Sequence, residues 1–243
     1  MSEIEKFKKE RAHRIESYAQ DKQFKESSLN WTKQSMEEQY VYNFEWMGRP
    51  IIQYPQDILA IQEIIWKVKP DLIIETGIAH GGSIIFSASM LELLDGDGEV
   101  VGIDIDIRQH NRNEIENHPM MKRISMIEGS SISENVYQSV LEKTKDKKNI
   151  MVILDSNHTH DHVLQELNLY GELVSKESYL VVLDTFVEDM PKGFFKNRPW
   201  DVGNNPKTAV NDYLKEHPEF QIDKSIENKL MITVAPSGYL KRL

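Results

Sequence analysis

The chain alternates between short, uniformly apolar runs and longer amphipathic ones, the signature of buried strands separated by helices. Leu72-Ile73-Ile74, Val100-Val101-Gly102-Ile103, Ile150–Leu154 and Tyr179–Leu183 are too short for helices, and each runs into an acidic residue. Ile124–Glu128 is a fifth run of the same kind. Between them apolar residues recur at helical spacing in Asp57–Trp66, Ile84–Leu91, Val163–Val174 and Ala209–Glu216. This alternation predicts an α/β fold: a mostly parallel, Rossmann-like sheet with helices on both faces. Phe220–Asp223 and Leu230–Val234 read as two last strands that form a C-terminal antiparallel hairpin around Ile226–Lys229. Asp57 is expected to N-cap the first of the amphipathic helices, and Lys69-Pro70 to end it.

Before Asp57 the pattern changes twice. Residues 1–28 are densely charged, with a sparse apolar stripe at Ile4, Phe7, Ile15, Tyr18 and Phe24. They read as a helix, either solvated on the domain surface or serving as a lid or an arm for homo-oligomer formation. Residues 30–57 are aromatic and punctuated by proline, which excludes one continuous helix. Such aromatics pack a core edge or wall a substrate pocket. The expected division is therefore a helical and aromatic-rich segment over 1–56 and an α/β domain over 57–243. Within the latter, Phe186–Asn205 is a long irregular stretch placed to cover a substrate.

Composition narrows the function. A length of 243 residues, 40% of them hydrophobic and 28% charged, suits one globular unit with a sizeable core. With no cysteine, disulfides, thiolate metal sites and a cysteine nucleophile are all excluded. A net charge of −10 opposes nucleic-acid binding, which needs a basic face. No apolar run is long enough for membrane insertion and no apolar signal core follows Met1, so a cytoplasmic protein acting on a small molecule is expected.

The chemistry concentrates at the strand ends. The first strand delivers Glu75-Thr76-Gly77-Ile78-Ala79-His80-Gly81-Gly82-Ser83, a glycine-rich turn into a helix. Its spacing is nearer the acidic-x-Gly-x-Gly-x-Gly loop that binds S-adenosylmethionine than the G-x-G-x-x-G of dinucleotide enzymes. An anionic Glu75 suits an ammonium and a sulfonium and repels a pyrophosphate. Thr76, Gly77, Gly81 and Ser83 are the accompanying cofactor-binding candidates. The second strand ends at Asp104, with Asp106 close behind, where ribose hydroxyls are bound in such folds. Ser130, after the third strand, either contacts the adenine or caps the next helix. Asp155 and Asp184 end neighbouring strands; they are either ordinary strand-end aspartates or ligands of a hard divalent cation, Mg²⁺ or Mn²⁺. His158, three residues past Asp155, is the candidate general base. His158, His160 and His162 would instead serve a non-haem iron hydroxylase, but alternate histidines at a helix start face different ways.

Several linked motifs together resemble the cephalosporin hydroxylase family, which includes rhamnosyl O-methyltransferases. They are Tyr42-Asn43-Phe44-Glu45-Trp46-Met47-Gly48-Arg49-Pro50, Gln53-Tyr54-Pro55-Gln56-Asp57, Glu75-Thr76-Gly77 with Gly81-Gly82-Ser83, Leu154-Asp155-Ser156-Asn157-His158, and Asn205-Pro206-Lys207-Thr208-Ala209-Val210. The likeness runs over residues 30 to 243. It implies a Rossmann-like methyltransferase fold, S-adenosylmethionine as cofactor, magnesium-assisted O-methylation of a sugar or specialised metabolite, and Asp155 and Asp184 as metal ligands. Where the family tends to have Glu-Asp, this chain has Leu183-Asp184, one carboxylate fewer. A non-catalytic relative that keeps the cofactor site is the third reading.

Overall fold

The computed structural model describes residues 1–243. The charged N-terminus forms α1 (Glu3–Gln20), opened by a Ser2–Glu5 capping box, with no buried residue. Asp21 breaks it and caps α2 (Lys22–Glu37) through the Phe24 N–H, so the expected single helix is two. A hairpin, β1 (Glu45–Trp46) and β2 (Arg49–Pro50), turns at Met47-Gly48, both at positive φ. Between and beside these elements Trp31, Tyr40, Phe44 and Tyr54 stack on one another. Tyr54 donates or accepts a 2.6 Å hydrogen bond with Ser35 of α2.

α3 (Pro55–Val68) starts with proline at its first position and stops at Lys69, which adopts a left-handed conformation before Pro70. Asp57 is not its N-cap: Tyr54 is, without a side-chain bond. Asp57 is instead buried on the inner face, where Thr233, the Val234 N–H (2.9 Å) and the Tyr239 hydroxyl (2.7 Å) donate to it. Burial outweighs those three bonds and pushes its carboxyl up to about 6.

The alternation expected from the sequence then follows: β3 (Leu72–Thr76), α4 (Gly82–Leu93), β4 (Glu99–Asp104), α5 (Gln109–Glu116), β5 (Ile124–Glu128), α6 (Glu134–Thr144), β6 (Ile150–Leu154), α7 (His160–Gly171), β7 (Tyr179–Val182) and α8 (Pro206–Glu216). The chain ends with β8 (Phe220–Ile222), α9 (Lys224–Leu230) and β9 (Tyr239–Arg242). The sheet order is β5-β4-β3-β6-β7-β9-β8, parallel except for β9, which pairs antiparallel with both β7 and β8. The antiparallel hairpin is therefore present, but its second strand is Tyr239–Arg242. Leu230–Val234 is the end of α9 and an irregular stretch whose Thr233 and Val234 are taken up by Asp57.

Side chains alternate across the sheet into two cores. One face buries Ile73, Met151 and Val181 against α3, α4 and the aromatic segment, with Val41, Ile51 and Tyr54 in the same cluster. The other buries Ile74, Val152 and Leu180 under α6, α7 and α8. Successive connections leave β3 in opposite directions, to β4 on one side and eventually to β6 on the other. The crevice between β3 and β6 is thus the switch point at which open α/β sheets bind ligands.

Candidate active site

The glycine loop at the β3 tip is built by close approach. Gly77, at φ +92°, lies against the Asp155 carbonyl so tightly that any Cβ would overlap it, and Asp155 N donates to Thr76 O at 2.8 Å. The loop is then fixed from three sides. Asp104 Oδ2 accepts from the Ile78 and Ala79 N–H groups at 2.8 and 3.1 Å. Arg49 donates to the His80 carbonyl through Nε (3.0 Å) and Nη2 (2.9 Å) and to Asn111 Oδ1. Asn111 in turn donates to the Ala79 carbonyl at 2.9 Å. Asn111 escaped the sequence reading and Arg49 entered it only as part of a motif, since nothing in their spacing ties them to the loop.

Two cavities flank the loop and share Gly77, Ala79, Asp155 and Ser156, so they form one continuous groove. The side toward β4 and β5, about 210 Å³, is walled by Asp104, Ser130, Ser131, Asn157 and His162. The side toward the N-terminal segment, about 220 Å³, is walled by Tyr42, Gln53, Ser83, His158 and Asp184. Ser130 does not cap α6; that position belongs to Ser133, and Ser130 faces the groove. Gly81 is the N-cap of α4, at φ +86°. Thr76 is buried away from both walls and contributes its carbonyl rather than its hydroxyl. Gln53, which the sequence presented only as part of a motif, is 2% exposed on the groove wall with both amide atoms unpartnered.

Acidic side chains converge beneath this groove. Glu75 is 1% exposed, outside both walls, and neither of its oxygens has a hydrogen-bond partner. Burial pushes its carboxyl up to about 7, with the Ser83 hydroxyl opposing only in part. Asp155 is held well above the usual carboxylate range by burial, then by Asp184, Glu75 and Glu166. Asp184 is raised by burial and lowered by His158. No lysine or arginine pairs with any of these four carboxylates; the basic side chains beside them are the imidazoles of His158 and His162. Such a cluster is destabilising unless a cation joins it.

Asp155, His158 and Asp184 supply ligand atoms that all lie within 4.8 Å of one another. His158 Nε2 is 3.1 Å from Asp184 Oδ2, and the Trp200 ring packs edge-on against the imidazole with centroids 4.7 Å apart. Trp200 comes from the 186–205 stretch, which is irregular yet tied down: Asp201 accepts from Gly193 N, Glu188 from Gly203 N and Asn205, and Lys207 pairs with Asp189 at 2.8 Å. The two carboxylates fit a hard divalent cation, with the His158 imidazole beside them. Leu183 does not contribute: it is 1% exposed and belongs to the core on the α3 side of the sheet.

The histidines separate as their spacing suggested. His160 turns to Thr208 Oγ1 (2.8 Å) and toward Asp212, while His162 turns to Ser131 and Glu166. They assemble no multi-histidine iron site.

Known proteins sharpen this picture. A rhamnosyl O-methyltransferase of Mycobacterium tuberculosis is 29% identical over 222 residues, covering 88% of this chain and 80% of that protein. Its namesake from Mycobacterium leprae is 29% identical over 199 residues, covering 81% and 82%. Among solved structures, CmcI in an Mg–SAM form superposes with a TM-score of 0.58 at 17% identity, over 83% of this chain and 77% of that one. The O-methyltransferase TomG from Streptomyces achromogenes gives a TM-score of 0.53 at 14% identity, over 80% of each chain. These structural likenesses establish the methyltransferase version of the Rossmann-like fold. The model of the family described as rhamnosyl O-methyltransferase/CmcI matches residues 38–243, a span that holds the aromatic hairpin, the glycine loop and both strand-tip aspartates. The chain belongs to the rhamnosyl O-methyltransferase/CmcI family.

Proposed function

We propose that the protein transfers a methyl group from S-adenosylmethionine to a hydroxyl of a small-molecule acceptor, a sugar or a specialised metabolite, with help from a divalent cation. The observation that carries this reading is the convergence of Glu75, Asp155 and Asp184 at the β3–β6 crevice without a lysine or arginine. A crevice that negative suits a sulfonium, an ammonium and a metal ion, and opposes a nucleotide phosphate.

Each residue has a part. Asp104, whose Oδ2 accepts from the loop and whose Oδ1 accepts from the Asp106 N–H at 3.2 Å, would take the ribose hydroxyls on the remaining lone pairs, and Ser130 would serve the base. Gly77, Gly81 and Thr76 shape the loop, while Ser83 and the N-terminus of α4 face the amino-acid end. Glu75 is the charge partner of the ammonium. Asp155 and Asp184 hold Mg²⁺ or Mn²⁺. The cofactor supplies an electrophilic methyl, and the cation supplies the Lewis acidity that lowers the pKa of an acceptor hydroxyl. His158, whose Nε2 lies 3.1 Å from Asp184 Oδ2, is the base that would take the proton of that hydroxyl. Trp200 and Tyr42 border the acceptor side, and holding the oxygen in line with the methyl is the larger part of catalysis.

Residues 57–243 form the catalytic unit on this reading, with 1–56 as a cover that lends Tyr42 and Gln53 to the acceptor side. No helix is long and apolar enough to cross a membrane; a cytoplasmic location belongs to the proposal. Isothermal titration with S-adenosylhomocysteine, followed by methyl transfer to a panel of rhamnosylated and hydroxylated acceptors, tests the proposal. Binding with no heat for NAD is expected. Absence of S-adenosylhomocysteine binding would overturn it.

A further inference from the structure

Helix α7 carries a polar ridge that methyl transfer itself does not use. His162, Glu166 and Tyr170 follow one another at i, i+4 and i+8, so they stack along one helix face. All three reach the turn after β5. The Tyr170 hydroxyl donates to the Ser131 carbonyl at 2.6 Å, and the Ser131 hydroxyl donates to Glu166 Oε1 at 2.5 Å. Ser156, next to Asp155, donates to the same oxygen at 2.6 Å. His162 Nε2 lies 3.1 Å from Ser131 Oγ, 3.4 Å from Ser156 Oγ and 3.5 Å from Glu166 Oε1. Glu166 is fully buried at 0% exposure, and its second oxygen has no partner. An apolar residue at this position would continue the stripe of Val163, Leu167 and Tyr170, so a buried carboxylate here needs a reason.

Polarity supplies one. A carboxylate only accepts, so the protons of both serine hydroxyls are committed to Glu166. Ser131 and Ser156 both line the groove on the Asp104 side. What their hydroxyls offer to its interior is lone pairs. A ribose held at Asp104 would leave the turn at Ser130 and Ser131 to the base.

We propose that Glu166 is a positioning residue that gives the base end of the groove an acceptor character, so that it selects a 6-amino purine over a 6-oxo purine. This inference rests on the cofactor reading above. The exocyclic amine of adenine donates into such a wall. The O6 of hypoxanthine would set lone pair against lone pair in a closed site, the kind of unpaired contact that discriminates strongly.

Calorimetric titration of the full-length protein with S-adenosylhomocysteine and with S-inosylhomocysteine tests it. The unaltered protein should bind the adenosyl compound tighter by about tenfold or more. Glu166→Met, which keeps length but accepts nothing, should bring the two affinities within about threefold, mainly by weakening the adenosyl one. Ser131→Ala should do the same while leaving Glu166 in place, and it decides the matter if Glu166→Met does not fold. An unaltered protein that binds both compounds equally overturns this inference alone. So does a preference that survives Ser131→Ala, or one that survives Glu166→Met with only a lower melting temperature. No binding of either compound overturns the cofactor reading, and this inference with it.

Discussion

Glu75 shows how far a single residue's surroundings can oppose its charge. Its carboxyl is buried, without hydrogen-bond partners, and raised to about 7. A folded-state pKa above the unfolded one means that the native protein holds the proton more tightly. Glu75 therefore contributes stability at low pH that is lost as pH rises from the ordinary glutamate range through about 7. Cofactor binding has the opposite dependence, because only the ionised carboxylate attracts an ammonium. The affinity for S-adenosylhomocysteine should rise about tenfold from pH 6 to pH 8, and Glu75→Gln should bind more weakly with a flat profile over that range. A wild-type profile that is equally flat would remove Glu75 from the amino-acid end. Gly77 makes a second prediction at this scale. Its positive φ and its contact with the Asp155 carbonyl leave no room for a methyl group. Gly77→Ala should cost about 2–4 kcal/mol of stability, seen as a lower melting temperature, and should displace the β6 tip enough to abolish cofactor binding.

At the level of elements, the site depends on adjacent parallel strands ending together. β6 and β7 bring Asp155 and Asp184 to one edge; burial raises both carboxyls, and the Asp184 charge raises Asp155 further. The metal-free protein bears that repulsion once both are ionised, so a divalent cation should raise its melting temperature more as pH rises and the raised carboxyls give up their protons. Asp155→Asn should raise the metal-free melting temperature, erase the shift with Mn²⁺ or Mg²⁺, and stop methyl transfer. Transfer that persists in EDTA and in Asp155→Asn would leave His158 to activate the hydroxyl alone. Restoring the missing carboxylate is not expected to help. Leu183 points into the core rather than toward Asp184, so Leu183→Glu should lower stability by several kcal/mol (about 3 or more) and leave metal affinity unimproved.

The whole molecule divides its N-terminal cover unequally. α1 buries no residue and presents Ile4 and Phe7 to solvent, whereas α2 and the hairpin pack into the core through Ser35–Tyr54, Val41 and Ile51. Removal of residues 1–20 should therefore shift the melting temperature by only a few degrees (about 3 or less) and leave S-adenosylhomocysteine binding intact. Extending the deletion through Pro50 should unfold the protein or expose the core, since Arg49 would no longer hold the His80 carbonyl and the glycine loop would lose its outer wall. Calorimetry on the two truncations separates these outcomes.

The sheet, the glycine loop and the strand-tip acids are legible in the order of residues alone. Short apolar runs bounded by turn signals and alternating with amphipathic helices read as buried strands, and an acidic residue that ends one emerges at the carboxyl edge, where Asp104, Asp155 and Asp184 all appear. That reading is wrong where local pattern and tertiary demand conflict. Asp57 looks like a helix cap, but the unpaired Val234 N–H and two hydroxyls draw it into the interior. Leu230–Val234 is apolar and β-branched enough for a strand, yet that same acid captures its backbone, and Tyr239–Arg242 pairs with β7 instead. Which polar groups meet follows from how the elements pack. Arg49 and Asn111 reach the loop from segments remote in sequence, Gln53 turns an unpartnered amide to the groove, and Glu166 gathers two serines from separate turns. The physical reason is that periodicity records how much of a side chain is buried and on which face, whereas a polar contact depends on the distance between elements. That distance is set by packing of the whole chain and leaves no trace in local spacing.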